Sequence, residues 1–471
     1  MKNILHIFTN IEQFNTIVHP IVGILGGTIF VLFLLASLQF LLEQEKRAFW
    51  RALLLMLLLP LPFLLIFFLE IHFIELVLCG LVIIGLLSFL IAFLVPFKSP
   101  IQITDTEPII QHDERDTMFS RSELVPASKR YINYYQQHPK KESLDMNFRR
   151  KPGLLASNSL YYNKKAFEDA HASFAAVKLL HNRIDGTPAK EKWEANPKET
   201  SEYLIKWIKQ LGALNVGFAS LKPYHFYSVK GRGEDYGQKI QSDHRFAIAF
   251  TIEMKREMVK PAPKASIVME SARQYLNSGK IAIQLAEHIR SLGYDARAHI
   301  DGNYQVICPL VARDAGLGEI GRMGLLMTPK QGPRVRIAVV TTNLELVTHT
   351  YKPDNSVLDF CMQCKKCATS CPSASIEFTE PQIREGIKRW KINSEGCYTF
   401  WCIAGTDCGR CMAVCPYSHP EGGLHLFIRW GIKKSHLFRL VAVKMDDFFY
   451  GKKPRPHPLP KAYACPKIKK Y

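Results

Sequence analysis

Nine of the 12 cysteines in this 471-residue chain lie between residues 361 and 415. A first run reads C-x2-C-x2-C-x3-C-P, and a second reads C-x2-C-x3-C-P with two further cysteines upstream of it. This is the ligand spacing of proteins that hold two 4Fe-4S clusters, in which the cysteine before the proline reaches the other cluster. Zinc sites and disulfides are the alternatives, but zinc sites use separated pairs of ligands rather than a run of four.

The spacing assigns seven of the eight cluster ligands. The first cluster is expected to take its four thiolates from Cys361, Cys364, Cys367 and Cys415. The second is expected to take three from Cys371, Cys408 and Cys411. Spacing alone leaves its fourth ligand open between Cys397 and Cys402. Two neighbouring clusters form a path for electrons, so the rest of the chain should contain what those electrons reduce.

The formal net charge is +19, and residues 1–98 contribute nothing to it because they carry five basic and five acidic side chains. The excess lies after residue 98. Since no nucleic-acid-binding motif accompanies it, we expect no nucleic-acid partner. Anionic lipid or an acidic low-potential electron donor, such as a flavodoxin or ferredoxin, suits this basic part better, although a merely solvated surface is the alternative. Clustered cysteines without a disulfide-like scatter favour a reducing compartment.

Three apolar stretches predict transmembrane helices at Val18–Leu42, Ala48–Leu69 and about Leu76–Phe97. Each approaches the roughly 20 apolar residues that cross the hydrocarbon core of a bilayer. The loop after the first stretch carries Lys46, Arg47 and Arg51, whereas the turn after the second has no Lys or Arg. The positive-inside rule therefore predicts a multi-pass protein of the inner (cytoplasmic) membrane whose part after Lys98 faces the cytoplasm.

Composition and periodicity divide the chain into five parts: a three-helix anchor (1–98), an extended polar arm (99–165), a catalytic core (166–355), a two-cluster module (356–420) and a basic tail (421–471). Within the core, apolar periodicity predicts helices and strands in alternation, which indicates an α/β layered fold. The predicted helices are Lys198–Gly212 and Ser271–Leu292, and the predicted strands are Leu214–Ser220, Phe246–Ile252, part of Val306–Ala312, and Arg336–Thr342.

A glycine-rich loop, G-x-G-x-x-G, contains Gly316, Gly318 and Gly321, and Gly324 follows it. Dinucleotide binding would need a long helix directly after this motif. Gly324 and Pro329 interrupt any such helix, so we do not expect NAD binding. Glycines at this density instead favour a loop whose backbone lies close to a large planar ligand.

Several segments resemble the reductive dehalogenases. The glycine loop resembles their core signature as AGLGEIGRMGLLMTP (315–329) followed by GPRVR (332–336). The cysteine segments match as FCMQCKKCA (360–368), CYTFW (397–401) and GTDCGRCMAVCPYS (405–418), and the arm matches as DERDTMFSR (113–121). The resemblance covers roughly residues 113–420. Epoxyqueuosine reductase shares the corrinoid core and a two-cluster module, but its likeness to the arm and to residues 397–418 is weaker.

The resemblance implies a nitroreductase-like α/β core that binds a cobalamin-type corrinoid through the glycine loop, and a ferredoxin-like module with two 4Fe-4S clusters. It implies reductive cleavage of a carbon–halogen bond in an organohalide. No D-x-H-x-x-G sequence is present to supply a lower axial histidine, so a base-off corrinoid is expected. The C-Y-x-x-W context of Cys397 makes this residue, rather than Cys402, the eighth cluster ligand.

Three catalytic residues are also implied by the resemblance. Tyr275 takes the place of a proton-donating tyrosine, Arg336 that of a basic residue beside it, with Arg334 as second choice, and Asn303 that of a polar pocket residue. An ordinary tyrosine has a pKa of about 10. A nearby cation stabilises its phenolate and so helps it to give a proton to a forming carbanion.

Respiratory members of the family look exported, with a twin-arginine signal and a separate small anchor. Here the first arginine pair is Arg149-Arg150, and three fused spans are expected to replace both features. Electrons would then come from a soluble low-potential donor or from a quinol system. Two other functions fit the same residues: another corrinoid-dependent reductase resembling epoxyqueuosine reductase, and a membrane iron–sulfur electron-transfer protein without catalysis.

Overall fold

The structure is a computed structural model that describes residues 2–69, 72–94 and 107–463. The chain forms two compact units, one of Met1–Pro100 with Gly422–Pro454 and one of Ile101–Glu421 with Arg455–Tyr471. Residues 95–97 of the predicted third span, 98 of the anchor, 99–106 of the arm and 464–471 of the tail lie outside the described residues.

The helices of the described residues are α1 (Lys2–Leu42), α2 (Lys46–Leu58), α3 (Leu61–Leu69), α4 (His72–Leu94), α5 (Met118–Glu123), α6 (Lys129–Gln137), α7 (Pro139–Arg149), α8 (Lys164–Leu180), α9 (Pro197–Gln210), α10 (Arg256–Val259), α11 (Ser266–Ser291), α12 (Cys308–Asp314), α13 (Asn355–Cys364), α14 (Lys366–Ser370), α15 (Ser394–Ala404), α16 (Arg410–Ala413), α17 (Gly423–Lys434) and α18 (His436–Phe449). The strands are β1 (Asn215–Ser220), β2 (Phe246–Glu253), β3 (Ala296–His299), β4 (Glu319–Ile320), β5 (Leu326–Met327), β6 (Val335–Thr342), β7 (Gln382–Arg384) and β8 (Ile387–Arg389).

The first unit contains three helical stretches that are long and apolar enough to cross a membrane, namely Val18–Leu42, Lys46–Leu69 and Phe73–Ile91. Only 12–17% of the most apolar part of each stretch is buried inside the protein. Helices that are apolar on nearly all sides and buried on few are suited to a lipid environment.

The same unit also includes α17 and α18, which differ from the loose basic tail that we predicted for 421–471. Helix α18 packs on α2 and α4, and α17 packs on α4. The inward side chains recur at helical spacing, with Ile432 buried on α17 and Ala442, Val443 and Phe449 buried on α18. This amphipathic pattern is what allows the segment to form helices rather than an extended tail.

The second unit is built on a four-stranded sheet in the order β1-β2-β6-β3. All neighbouring strands are antiparallel. In β2, Ile248 and Phe250 point into the core cluster on one face, whereas Ala247 and Ala249 point into the cluster on the other. Both faces are therefore covered, as the nearly continuous apolar sequence of β2 requires. The predicted strands at β1, β2 and β6 are confirmed, while β3 was not predicted.

Helices α9 and α11 contribute to the core on one face of the sheet, and α12 covers the other face. Our prediction of a strand within Val306–Ala312 was wrong, because α12 begins at Cys308 with Pro309 in its first turn. Proline suits the first turn of a helix, where its missing N–H is not needed. A Cβ on Gly217 of β1 would lie 2.1 Å from the carbonyl oxygen of Ala315, so a glycine is what lets β1 approach the end of α12.

The described part of the arm folds as three short helices, α5 to α7, tied down by a buried arginine. Arg121 of α5 is 1% exposed and donates from Nη1 to Asp145 Oδ1 of α7 at 3.0 Å. Its Nη2 donates to Glu395 Oε1 of α15 at 2.6 Å. The phenol of Tyr135 donates to Asp145 Oδ2 at 2.7 Å. A charge network of this kind fixes the arm against α15 because every member needs its partner.

Replacement of Arg121 by Met should destabilise the second unit strongly, because it leaves Asp145 buried without its cation. Breaking a buried pair from one side costs about 3–5 kcal/mol. Urea unfolding of the detergent-solubilised chain, followed by circular dichroism, measures this loss. The matched control is Arg183→Met, which removes the solvent-exposed Arg183–Glu287 pair and should cost less than about 1 kcal/mol. Equal losses in the two variants would contradict the structural role of Arg121.

Candidate functional site

The eight predicted cluster ligands fall into two groups of four in the structure. The first group shares the α13–α14 turn and the loop after α16. Burial raises the pKa of the Cys415 thiol well above its ordinary value, and the neighbouring Cys361, Cys364 and Cys367 raise it further. Such mutual influence requires these four sulfurs to lie close together. Four convergent cysteines are the donor set that a 4Fe-4S cluster needs.

The second group contains Cys397 and not Cys402. Burial, followed by the neighbouring Cys408, Cys397 and Cys371, raises the pKa of Cys411. Burial and the neighbouring Cys371 raise the pKa of Cys397 to about 11. Cys402 points instead into an apolar cluster with Met118 and Phe148. The geometry thus separates two cysteines that spacing alone leaves equivalent.

A buried arginine lies beside the first group of thiols, and our sequence analysis missed it. Arg322 has no exposed surface and donates from Nε to the carbonyl of Cys361 at 3.0 Å. Its Nη1 donates to the carbonyl of Glu377 at 2.6 Å, and its guanidinium lies 4.5 Å from the ring of Trp390. A fixed cation offsets negative charge on neighbouring thiolates. The one sequence feature that could have indicated Arg322 is its position in the G-R-M-G segment of the glycine loop.

The glycines of the glycine loop lie in close contact with other parts of the protein. A Cβ on Gly318 would lie 2.3 Å from the carbonyl oxygen of Met327 in the β4–β5 hairpin. A Cβ on Gly321 would lie 2.8 Å from Met327 Cγ and 3.5 Å from Cys361 Sγ. Gly316 faces His349, and Gly324 faces Ile392. These glycines let the hairpin pack against the cysteine module, and their predicted role in cofactor binding stays a prediction.

A cavity of about 640 Å³ lies between the core, the arm and the cysteine module. Tyr275 of α11 and Arg336 of β6 line it from the core, Phe119 lines it from the arm, and Trp401 and Asp407 line it from the module. Helix α15 therefore contributes Cys397 to the second thiol group and Trp401 to the cavity wall. A volume of this size is in the middle of the range for small-molecule and cofactor sites.

The cation of Arg336 joins the core to the module at this cavity. Its side chain is 12% exposed and that of Asp407 is 10% exposed, and Arg336 Nη2 donates to Asp407 Oδ2 at 2.9 Å. Nη2 also donates to Ser271 Oγ at 2.5 Å. The guanidinium carbon lies 4.7 Å from the centroid of the Tyr275 ring. The predicted pair of Tyr275 and Arg336 is therefore brought together, and Asp407, which was not predicted, holds the arginine in place.

Tyr275 keeps its proton at neutral pH. Burial raises the pKa of its hydroxyl to about 12, although the neighbouring Arg336 lowers it. The cation acts in the expected direction, but removal from water outweighs it here. A protonated phenol at a cavity wall can donate a proton to a strong base such as a carbanion.

Asn303 and Arg334 are placed away from this cavity. The amide oxygen of Asn303 accepts from Lys230 Nζ and from Arg297 Nη2, both at 3.0 Å, whereas its neighbours Asp301 and Tyr304 line the cavity. Arg334 is buried and donates to Glu253 and to the carbonyl of Ser418. Burial raises the pKa of Asp301, which favours a neutral carboxyl at the wall. The sequence alone could not decide whether Asn303 or one of its near neighbours, Asp301 and Tyr304, lines the cavity, because all three lie within four consecutive residues.

The chemistry of the cavity fits a large cofactor. Two buried polar atoms at its wall, Arg336 Nε and Asp407 Oδ1, have no hydrogen-bond partner within the described residues. Buried polar groups are normally paired, so atoms of this kind point to a polar group that the protein itself does not supply. Apolar side chains such as Leu326 and Ile337 line the cavity beside them and suit the face of a macrocycle.

Comparisons with known proteins agree with these groups. A family model described as a 4Fe-4S dicluster domain matches residues 360–419. The chain is 36% identical over 214 residues to a tetrachloroethene reductive dehalogenase from Desulfitobacterium hafniense, a match that covers 43% of this chain and 38% of the relative. It is 30% identical over 239 residues to an epoxyqueuosine reductase from Staphylococcus aureus, covering 43% of this chain and 56% of the relative.

Among solved structures, the chain is similar to the catabolic reductive dehalogenase NpRdhA in complex with 3-bromo-4-hydroxybenzoic acid. The TM-score is 0.54 at 27% identity, and the match covers 60% of this chain and 42% of that one. The chain spans less than half the length of the dehalogenases it matches. These similarities support iron–sulfur clusters and a corrinoid, and together with the geometry of the site they indicate a protein similar to the reductive dehalogenases.

Proposed function

We propose that this chain is a membrane-anchored reductive dehalogenase, in which two 4Fe-4S clusters pass electrons to a corrinoid that reductively cleaves a carbon–halogen bond. The observation that carries the proposal is the contact of Tyr275, Arg336 and Asp407 at one cavity, with Asp407 next to the predicted cluster ligand Cys408. Proton donation and electron entry would thus meet at the same wall.

The net reaction takes two electrons and one proton, breaks the carbon–halogen bond, forms a carbon–hydrogen bond and releases halide. A bound corrinoid, expected in its base-off form, would supply the cobalt that accepts electrons from the clusters and delivers them to the organohalide. Apolar side chains beside Arg336, including Leu326 and Ile337, would hold its macrocycle and exclude water. Asp407 and Ser271 orient Arg336, which in turn fixes the ring of Tyr275.

The proton comes from the Tyr275 hydroxyl and goes to the carbon that loses the halogen. The phenolate left behind would be stabilised by Arg336, whose guanidinium lies against the same ring. A later proton uptake from solvent restores the phenol. This division of labour makes Tyr275 the catalytic acid and makes Arg336 and Asp407 the groups that position it and offset its charge.

The three apolar stretches of the first unit would anchor the enzyme in the inner membrane, with the second unit in the cytoplasm. Three basic residues in the first two turns of α2, Lys46, Arg47 and Arg51, support that orientation. Electrons would come from a soluble low-potential donor, a flavodoxin or ferredoxin, or from a quinol system. The donor would reach the cluster nearer the protein surface.

Halide release by the purified full-length chain, reconstituted anaerobically with iron, sulfide and cobalamin, tests the proposal. Tetrachloroethene and 3-bromo-4-hydroxybenzoic acid are suitable probes. The relative from Desulfitobacterium hafniense is a tetrachloroethene reductive dehalogenase, and the similar solved structure is a complex with 3-bromo-4-hydroxybenzoic acid. Tyr275→Phe should lower the rate roughly 10²–10⁴-fold, since a positioned acid contributes that much. A reduced flavodoxin or ferredoxin supplies the electrons in this assay. The variant's iron–sulfur clusters should be reduced by that donor as fast as those of the wild type.

The matched control is Tyr203→Phe, since Tyr203 lies on α9, is 50% exposed and does not line the cavity. Its rate should equal that of the wild type. Equal rates in Tyr275→Phe and the wild type would remove Tyr275 from the chemistry. Turnover of an epoxide-bearing tRNA nucleoside with no halide release from any probe would favour the other corrinoid reductase.

The pH dependence of halide release should be flat on the alkaline side up to about pH 10. The pKa of Tyr275 is raised to about 12, so the proton donor stays loaded throughout this range. Arg336→Gln removes the cation that lowers this pKa and should move any alkaline limb to still higher pH. A limb below pH 10 in the wild type that moves upward in Arg336→Gln would show that Tyr275 titrates lower than proposed.

The ligand assignment is tested by the iron content of two cysteine variants after reconstitution. Cys397→Ser should lose a ligand of the second cluster and lower the iron content from about eight towards four per chain. Cys402→Ser should keep the full content, because Cys402 lies in the apolar cluster with Met118 and Phe148. The reverse result would assign the ligand to Cys402.

A further inference from the structure

We propose that the α17–α18 hairpin lies flat in the membrane interface and binds anionic lipid headgroups on the side of the bilayer where the α1–α2 loop emerges. The inference rests on the proposed membrane anchoring of the first unit. It concerns a surface that the proposed reaction does not use.

A buried polar cluster holds both ends of the hairpin at the α1–α2 loop. His425, near the start of α17, lies with Nε2 at 2.9 Å from Glu43 Oε1, directly after the end of α1. Tyr450, directly after α18, donates to the other carboxylate oxygen of Glu43 at 3.3 Å. The His425 and Glu43 side chains are 4% and 6% exposed. Both ends of the hairpin are therefore tied to the same point of the anchor.

Contacts along α1 and α2 fix the hairpin at this level. The ring centroids of Phe40 and Phe449 are 5.2 Å apart. Arg51 donates to the carbonyl of Phe448, and its guanidinium lies 4.6 Å from the ring of Phe448. Since two of the candidate spans end and begin at this loop, the hairpin lies where they would leave the hydrocarbon core.

Part of the hairpin surface is apolar and exposed. Its members lie on one stripe of each helix, and each is 40–48% exposed: Leu426, Phe427 and Trp430 on α17, and Leu437, Val441 and Met445 on α18. Exposed stripes of this size normally mark an interaction surface. Helix α18 packs directly on α2 and α4, so the stripe belongs to a hairpin that lies beside two of the candidate spans.

The charge of the segment identifies lipid as the occupant. Between Gly423 and Pro454 there are seven basic and two acidic side chains. Exposed lysines flank the stripe at the end of α17 (Lys433, Lys434), within α18 (Lys444) and just after it (Lys452, Lys453). An apolar face with a tryptophan and basic flanks is typical of helices that lie in the interface of an anionic leaflet.

Quenching of tryptophan emission by spin-labelled lipid tests the inference on the full-length chain. The protein is reconstituted into vesicles of phosphatidylcholine with or without phosphatidylglycerol, carrying a nitroxide near the headgroup or near the chain end. The emission of each tryptophan is obtained by subtracting the spectrum of the variant that lacks it from the spectrum of the wild type. The three variants are Trp430→Phe, Trp50→Phe and Trp193→Phe. Trp430 should lose about half of its emission with the shallow label and less with the deep one, since interfacial helices lie about 5–10 Å into the headgroup boundary.

The two other tryptophans separate the possible failures. Trp50 is 64% exposed on α2 and reports insertion of the anchor, whereas Trp193 is 50% exposed in the second unit and should not be quenched. Quenching of neither Trp50 nor Trp430 would overturn the anchoring itself. Quenching of Trp50 with Trp430 no more quenched than Trp193 would overturn only this inference and leave the stripe to a protein partner.

A charge variant tests the choice of headgroup. In the wild type, Trp430 quenching should be greater in vesicles with phosphatidylglycerol and should decline as salt is added. The fourfold variant Lys433→Gln, Lys434→Gln, Lys452→Gln, Lys453→Gln should lose both dependences while Trp50 quenching stays the same. Equal quenching of wild type and variant in both lipids would contradict the anionic-lipid assignment.

Discussion

A cation removed from water must be matched by fixed partners, and Arg336 is the largely buried cation at the wall of the cavity in the second unit. Asp407 supplies the opposite charge, Ser271 accepts a hydrogen bond, and Tyr275 supplies the face of its ring. Uncompensated, such a charge would cost several kcal/mol. These partners come from helix α11 and from the cysteine module, so the pairing of one charge fixes how the sheet, its long helix and the module meet.

This arrangement brings together at one wall the residues to which the proposed function assigns proton donation and electron entry. Asp407 precedes Cys408 in the chain, so the carboxylate that holds the arginine is one residue away from a predicted cluster ligand. Tyr275 lies on the other side of the arginine, with its proton retained by burial. The arm completes the enclosure because Arg121 ties α5 to α15, and Phe119 of α5 lines the cavity. Burial of this wall therefore both excludes water and keeps the proton on the Tyr275 hydroxyl.

The sequence predicted best the features that have a period or a fixed spacing. Helix α11 and strands β2 and β6 carry apolar side chains at regular intervals, and their positions follow from that pattern. The Val306–Ala312 run failed because a short apolar stretch does not distinguish a strand from a buried helix turn, and Pro309 decided for the helix. Strand β3 is only four residues long, and its core-facing residues are two alanines that alternate with Arg297 and His299, so its pattern is too short and too weakly apolar to predict a strand.

In the candidate site, too, the features with a fixed spacing or a family motif were predicted and the long-range contacts were not. Cysteine spacing predicted two groups of thiols, and family likeness led to Tyr275 and Arg336, which share one cavity wall. Spacing could not reveal Asp407 as the partner of Arg336 or Arg322 beside Cys361, because both contacts join residues far apart in the chain. The helices α17 and α18 were missed for a different reason: their segment was assigned to a basic tail, although apolar side chains recur along it at helical spacing.

The central claim is that this cavity holds a corrinoid next to two iron–sulfur clusters. Metal analysis and electron paramagnetic resonance of the full-length chain, reconstituted anaerobically with iron, sulfide and cobalamin, test it most directly. The account predicts about eight irons and one cobalt per chain, with a cobalt(II) signal that lacks nitrogen superhyperfine splitting. About eight irons with no retained cobalt would contradict it and leave an electron-transfer protein without a catalyst.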